Sequence, residues 1–101
     1  MTSAKRAASF DTIPTIAESG YPGFDVTPWF GLLAPARTPA AVVGKINADV
    51  NELLGSKDVA DSFAAQGADP YPTSPEAFTR VLRADIEKWG QVVKESGARI
   101  E

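Results

Sequence analysis

Proline and glycine cut this sequence into segments too short for anything but modest helices and brief extended runs. The 101 residues contain eight of each, and most stand where an apolar pattern stops. Thr38-Pro39 reads as a helix start, with Thr as the N-cap and Pro at the first helical position, where no N–H is needed. Val43, Ile46, Val50, Leu53 and Leu54 then recur at helical spacing until Gly55. Ser56 opens a shorter helix in which Val59 and Phe63 lie four apart, and Gly67 stops it. Asp69-Pro70-Tyr71-Pro72 is extended, because a residue before proline is pushed out of the α region. Ser74-Pro75-Glu76 repeats the start signal, with an acid at the positive helix end. Phe78, Leu82, Ile86, Trp89 and Val93 then form one stripe that ends before Gly97.

The first third is less regular. Residues 1–12 carry no strong periodicity. Thr15 and Glu18 fit a capping box over a short helix stopped by Gly20, and Tyr21-Pro22-Gly23 reads as a turn. Phe24 to Ala34 reads as a strand, with Phe24, Val26, Phe30 and Leu32 on one face and Asp25, Thr27, Trp29 and Leu33 on the other. Both faces are partly apolar, which predicts a strand covered on both sides along at least half its length. Pro28 makes its own position an edge, bulge or crossing point, and Pro35 ends the run.

The missing residue types narrow the chemistry. No histidine means no imidazole base or metal ligand, and no cysteine means no thiol nucleophile, zinc knuckle or disulfide. Ser3 with Lys5 and Ser56 with Lys57 are the nearest Ser–Lys pairs, but side chains one or two apart do not face each other on a helix. Asp58 with Asp61, and Asp85 with Glu87 or Lys88, read as solvated helix faces rather than paired catalytic or metal-binding carboxylates. The glycines are dispersed as stops and turns, so no phosphate-cradling loop forms. A net charge of -3 without clustered basic residues argues against nucleic acid. No run is long and apolar enough to span a membrane, and no signal-peptide pattern opens the chain. The reading is a non-catalytic chain that needs no cofactor, with 44% hydrophobic residues, enough for a modest core.

The tryptophans differ. Trp89 lies in a helical apolar stripe and is expected to pack in the core. Trp29 follows Pro28 and precedes Gly31, where a backbone irregularity allows an aromatic ring to line a cleft; core burial is the ordinary alternative.

Read in order, Ile13-Pro14-Thr15-Ile16-Ala17-Glu18-Ser19-Gly20, Pro22-Gly23-Phe24, Trp29-Phe30-Gly31-Leu32-Leu33-Ala34-Pro35 and Thr38-Pro39 resemble one family. It is the substrate-binding proteins of tripartite tricarboxylate transporters, called Bug in Bordetella, and the resemblance is to their C-terminal third. Gly67-Ala68-Asp69-Pro70, Ser74-Pro75-Glu76-Ala77-Phe78 and Trp89 with Val92-Val93-Lys94 extend it over nearly all of the chain. The resemblance implies an α/β fold: a helix-rich portion, residues 1–101, of a two-domain periplasmic-binding-protein-like (Venus flytrap) receptor, with three main helices plus one or two strands. Its partners would be a small organic carboxylate and a membrane permease, and its compartment the periplasm.

Such receptors hold the carboxylate through backbone amides, hydroxyls and ordered water. Pro28, Trp29, Phe30 and Gly31 match the family's segment and are expected near the cleft. The resemblance also implies that about two-thirds of the receptor is absent, and that Met1 replaces an apolar strand. A strand at Phe24–Ala34 would then have unpaired edges, which predicts self-association of the isolated chain. The other reading is an independent interaction module that binds a protein through the 24–33 strand or a helical face.

Overall fold

A computed structural model describes residues 1–99. After a 3₁₀ turn at Ala8–Phe10 and a long irregular passage come three helices, α1 (Ala40–Leu54), α2 (Lys57–Ala64) and α3 (Pro75–Ser96). Helix α1 packs against both α2 and α3. Its half-buried residues are Val43, Asn47, Val50, Asn51 and Leu54, and those of α3 include Ala77, Phe78, Val81, Leu82 and Asp85. Both sets keep helical spacing, so the expected amphipathic stripes set which faces meet.

The helix ends follow the expected chemistry at α3 and depart from it elsewhere. The Ser74 hydroxyl accepts the Ala77 N–H at 3.1 Å, Pro75 occupies the first helical position, and Gly97 closes the helix at φ 68°. At α1, however, Pro39 takes the cap position, and the Thr38 hydroxyl donates to the Pro35 carbonyl at 2.8 Å. The Ser56 hydroxyl likewise donates to the Leu53 carbonyl at 2.7 Å instead of capping α2. In both cases a carbonyl three residues back lies within reach, and the hydroxyl serves that acceptor instead of the helix N–H groups.

The capping box at Thr15 forms, but the short helix expected beyond it does not. The Thr15 N–H donates to Glu18 Oε2 at 2.9 Å and the Glu18 N–H to Thr15 Oγ1 at 3.1 Å. Only one turn follows before Gly20 at φ 109°. A single turn cannot recover the cost of helix nucleation. The knot is instead tied from outside: the Met1 ammonium donates to the Pro14 carbonyl at 2.8 Å, and the Ile16 N–H donates to the Met1 carbonyl at 2.9 Å. Arg6 Nε donates to Glu18 Oε2 at 2.9 Å. Thr15 at the centre is 1% exposed, the one buried side chain among the described residues.

The strand expected over Phe24–Ala34 is corrected. Among the described residues there is no strand, although residues 24–35 run without helix, turn or bend. A strand exists only by pairing. Here the Val26 N–H reaches the Thr2 carbonyl at 2.8 Å, but no N–H of residues 29–34 has a partner. Nor is the segment covered on both sides: Trp29 is 37% exposed and Phe30, next along the chain, 99%.

The modest core expected from composition does not close either. The chain exposes 8392 Å², against about 5,500 Å² for a folded monomer of its mass. Its radius of gyration is 16.4 Å, against about 12.7 Å for a compact chain of this length. Trp89, expected in the core, is 40% exposed, and Ile86 and Val93 on the same stripe are more so. These residues face outward because, among the described residues, no second layer lies over them.

What holds the connection between α2 and α3 is polar. Asn47 and Asn51, one turn apart on α1, both donate their side-chain amides to the Thr73 carbonyl, at 2.8 and 3.0 Å, and the Thr73 N–H returns a bond to Asn51 Oδ1 at 3.3 Å. Asn51 thus pairs with Thr73 as a neighbouring strand would. Asn51→Ala is expected to cost roughly 1–2 kcal/mol, since it leaves the Thr73 N–H without a partner. Asn47→Ala should cost less, because Asn51 still serves the carbonyl; urea unfolding followed by helical circular dichroism measures both.

The Thr15 backbone N–H, and then the Arg6 guanidinium, hold the Glu18 carboxyl below its ordinary value of 4.5. A depressed carboxylate favours the folded state above its unfolded value, and that contribution disappears as pH falls through the lower folded value. Acidification below 4.5 should therefore loosen the Met1–Thr15 knot before the helices. Amide exchange that speeds at Thr15 and Glu18 while α1 and α3 stay protected would be the expected result.

Candidate functional site

Residues Pro28, Trp29, Phe30 and Gly31 lie where the irregular passage crosses α3. The Trp29 indole N–H donates to Asp85 Oδ2 at 2.6 Å. Its ring meets Phe78 edge to face, with centroids 5.1 Å apart and planes at 88°. That geometry sets the positive ring edge against a negative ring face. Gly31 is required by the same contact: a Cβ there would lie 2.7 Å from Phe78 Cζ and 3.0 Å from Cε2. One helical turn beyond Asp85, Lys88 donates to the Asp25 carbonyl. The Asp25 carboxylate accepts the Thr27 hydroxyl at 2.6 Å and the Ala4 N–H at 3.2 Å. The segment is thereby fastened to α3 on one side and to the N-terminus on the other.

An open groove of about 630 Å³ runs along this crossing. Pro28, Trp29 and Phe30 form one wall, and Leu82, Ile86 and Trp89 form the other. Gly31 stands outside it, on a larger concavity of about 2210 Å³ that reaches Leu32, Val42 and Ile46 on the α1 side. Asp85 is the one charged residue on the smaller groove. Apart from Thr2 and Thr27 the rest of its lining is apolar, its indole donor is already engaged, and the Asp85 charge repels anions. A carboxylate therefore finds no counter-charge here.

The structure places three of the four expected residues together and joins them to partners the sequence reading missed. Asp85, which the amphipathic pattern places on the solvated side of α3, is half-buried against Trp29. A signal existed: Phe78 and Asp85 are seven residues, two turns, apart and so share a face. Trp29 is not buried in a core: it packs on Phe78 and Asp85 along one edge and lines the open groove with the other. The serine–lysine pairs are not dyads. Ser3 donates to the Lys5 carbonyl at 2.7 Å, and Ser56 is bound to Leu53. Among the described residues no group of acidic side chains is arranged to hold a metal ion.

The groove thus combines apolar walls with two threonines and an engaged indole donor. The chain belongs to the tripartite tricarboxylate transporter family receptors, whose family model matches residues 1–98. It is 39% identical over 99 residues to protein BugT of Bordetella pertussis, covering 98% of this chain and 30% of BugT. It is 33% identical over 96 residues to a UPF0065 protein from the tcbD–tcbE intergenic region of Pseudomonas sp. strain P51, covering 94% of this chain and 29% of that protein. Its fold matches the solved structure described as R. palustris Rpa4515 with adipate, with a TM-score of 0.77 and 38% identity, over 95% of this chain and 32% of that one. The chain thus spans about a third of the length of these relatives.

Trp29→Phe keeps the ring on Phe78 and removes the N–H. It should cost about 1 kcal/mol, and a double-mutant cycle with Asp85→Ala should give a coupling of similar size. Gly31→Ala should cost more than Trp29→Phe, because a methyl at that point displaces Phe78 or lifts the segment off α3. Urea midpoints of the four variants decide both statements.

Proposed function

We propose that residues 1–101 form the C-terminal third of a two-domain periplasmic receptor that captures a small organic carboxylate and presents it to the permease of a tripartite tricarboxylate transporter. The observation that carries this reading is the fold match, at 38% identity, to the structure described as R. palustris Rpa4515 with adipate, alongside the receptor family model. The groove at Pro28–Phe30 is consistent with a ligand wall in this reading: its apolar side chains would follow a methylene chain, and the oxygens would be held by donors from the portion of the receptor outside this chain. Pro28, Trp29 and Phe30 would line the cleft and Gly31 would allow the segment to sit against α3. Capture with release needs only donors, apolar walls and a hinge.

The electrostatics also indicate what these residues do alone. With Asp85 on the groove and no cation, the isolated chain is not expected to retain a carboxylate. Its apolar surface supports a second reading, that isolated copies associate with one another, for which the 8392 Å² of exposed area is the specific observation.

A chimera tests the receptor assignment. The segment of the adipate-bound R. palustris protein that aligns with this chain is replaced by residues 1–101, and calorimetry is run with a series of mono- and dicarboxylates. The chimera should bind at least one of them, and the 101 residues alone should give no binding heat. A folded chimera that binds none would overturn the assignment; tight binding by the chain alone would overturn the division of labour.

A further inference from the structure

We propose that the edge formed by Trp29–Leu33 pairs with the same edge of a second copy, antiparallel about a two-fold axis through Gly31, so that the isolated chain is a dimer. The segment is straight, free of helix and turn, and none of its backbone N–H groups has a partner among the described residues. Unsatisfied edges of this kind template pairing. Register follows from the side chains. Phe30 and Leu32 stand two apart and so share a face, and Phe30, Leu32 and Leu33 are 99%, 73% and 72% exposed, so a two-fold axis at Gly31 sets Phe30 of one copy opposite Leu32 of the other, twice. Aromatic–aliphatic cross-strand pairs of this type favour the ladder. Pro28, which has no N–H to give, ends the pairing at one side. Trp29 and Gly31 stay on the opposite face against α3, so the contacts with Phe78 and Asp85 survive.

The area supports a second copy as occupant. The chain exposes about 2,900 Å² beyond a compact monomer of its mass, and an obligate homodimer covers about 1,000–2,500 Å² per copy. A paired ribbon would be roofed by what lines the larger concavity, including Val42 and Ile46 of α1, which are 46% and 48% exposed. The contact is isologous and closes on itself, so it stops at two copies.

Sedimentation over a range of concentrations should give twice the 10.7 kDa chain mass. Phe30→Lys with Leu32→Lys sets like charges opposite each other at both pairs and should weaken the dimer by about tenfold or more, with the helical circular dichroism unchanged because both side chains already face water. A second readout does not depend on that variant folding. The chain has no cysteine, so Phe30→Cys with Leu32→Cys should oxidise to a covalent dimer, while Ala48→Cys on the exposed side of α1 should not. A monomer at high concentration overturns the proposal, as does a larger assembly, or a dimer unaffected by the lysines and not linked by the cysteines.

Discussion

The irregular N-terminal third and the three helices meet through Trp29 and the residues beside it. Among the described residues only two hydrogen bonds join residues 1–34 to the helices, Trp29 to Asp85 and Lys88 to the Asp25 carbonyl. The edge-to-face contact of Trp29 with Phe78 lies beside them, and Gly31 exists to permit it. The groove, the outward aim of Phe30 and Leu32, and the open side of α3 all depend on that crossing. A charged hydrogen bond and one aromatic pair are modest in size. They matter here because no closed core shares the work.

That shortage of burial also frames the function. A domain that closed its own core would have no reason to leave Phe30, Leu32 and Leu33 in water beside an apolar concavity. The matched relatives are about three times as long as this chain. The groove joins mostly apolar walls to the Thr2 and Thr27 side chains and the Asp85 carboxylate.

Several elements could be read directly. All three helices were legible because their apolar residues keep a 3.6-residue period between strong stops, and Ser74-Pro75 with Gly97 fixed α3 at both ends. The Thr15–Glu18 box was legible as a hydrogen-bond pair but misleading as a helix, since reciprocal caps do not provide the turns that must follow. The Phe24–Ala34 strand was misread for a related reason. Alternation of side chains describes which way they point, while a strand also needs a partner backbone. Within the site, Pro28, Trp29, Phe30 and Gly31 stood out through proline, glycine and the family resemblance. Asp85 did not, because an acid on an amphipathic helix looks the same whether it meets water or an indole.

Local physics, carried by the sequence itself, determined the helices, their faces and the absence of imidazole and thiol chemistry. These depend on residues within a few positions of each other or on residue types that are missing. Only the tertiary structure decided that Thr38 and Ser56 turn back to preceding carbonyls and that two asparagines on α1 stand in for a strand beside Thr73. It also decided that Trp29 finds Asp85 fifty-six residues away and that the apolar stripes lack a second layer. Each of these is a choice among partners distant in sequence, and hydrophobic pattern specifies that a face will be buried without specifying what will bury it.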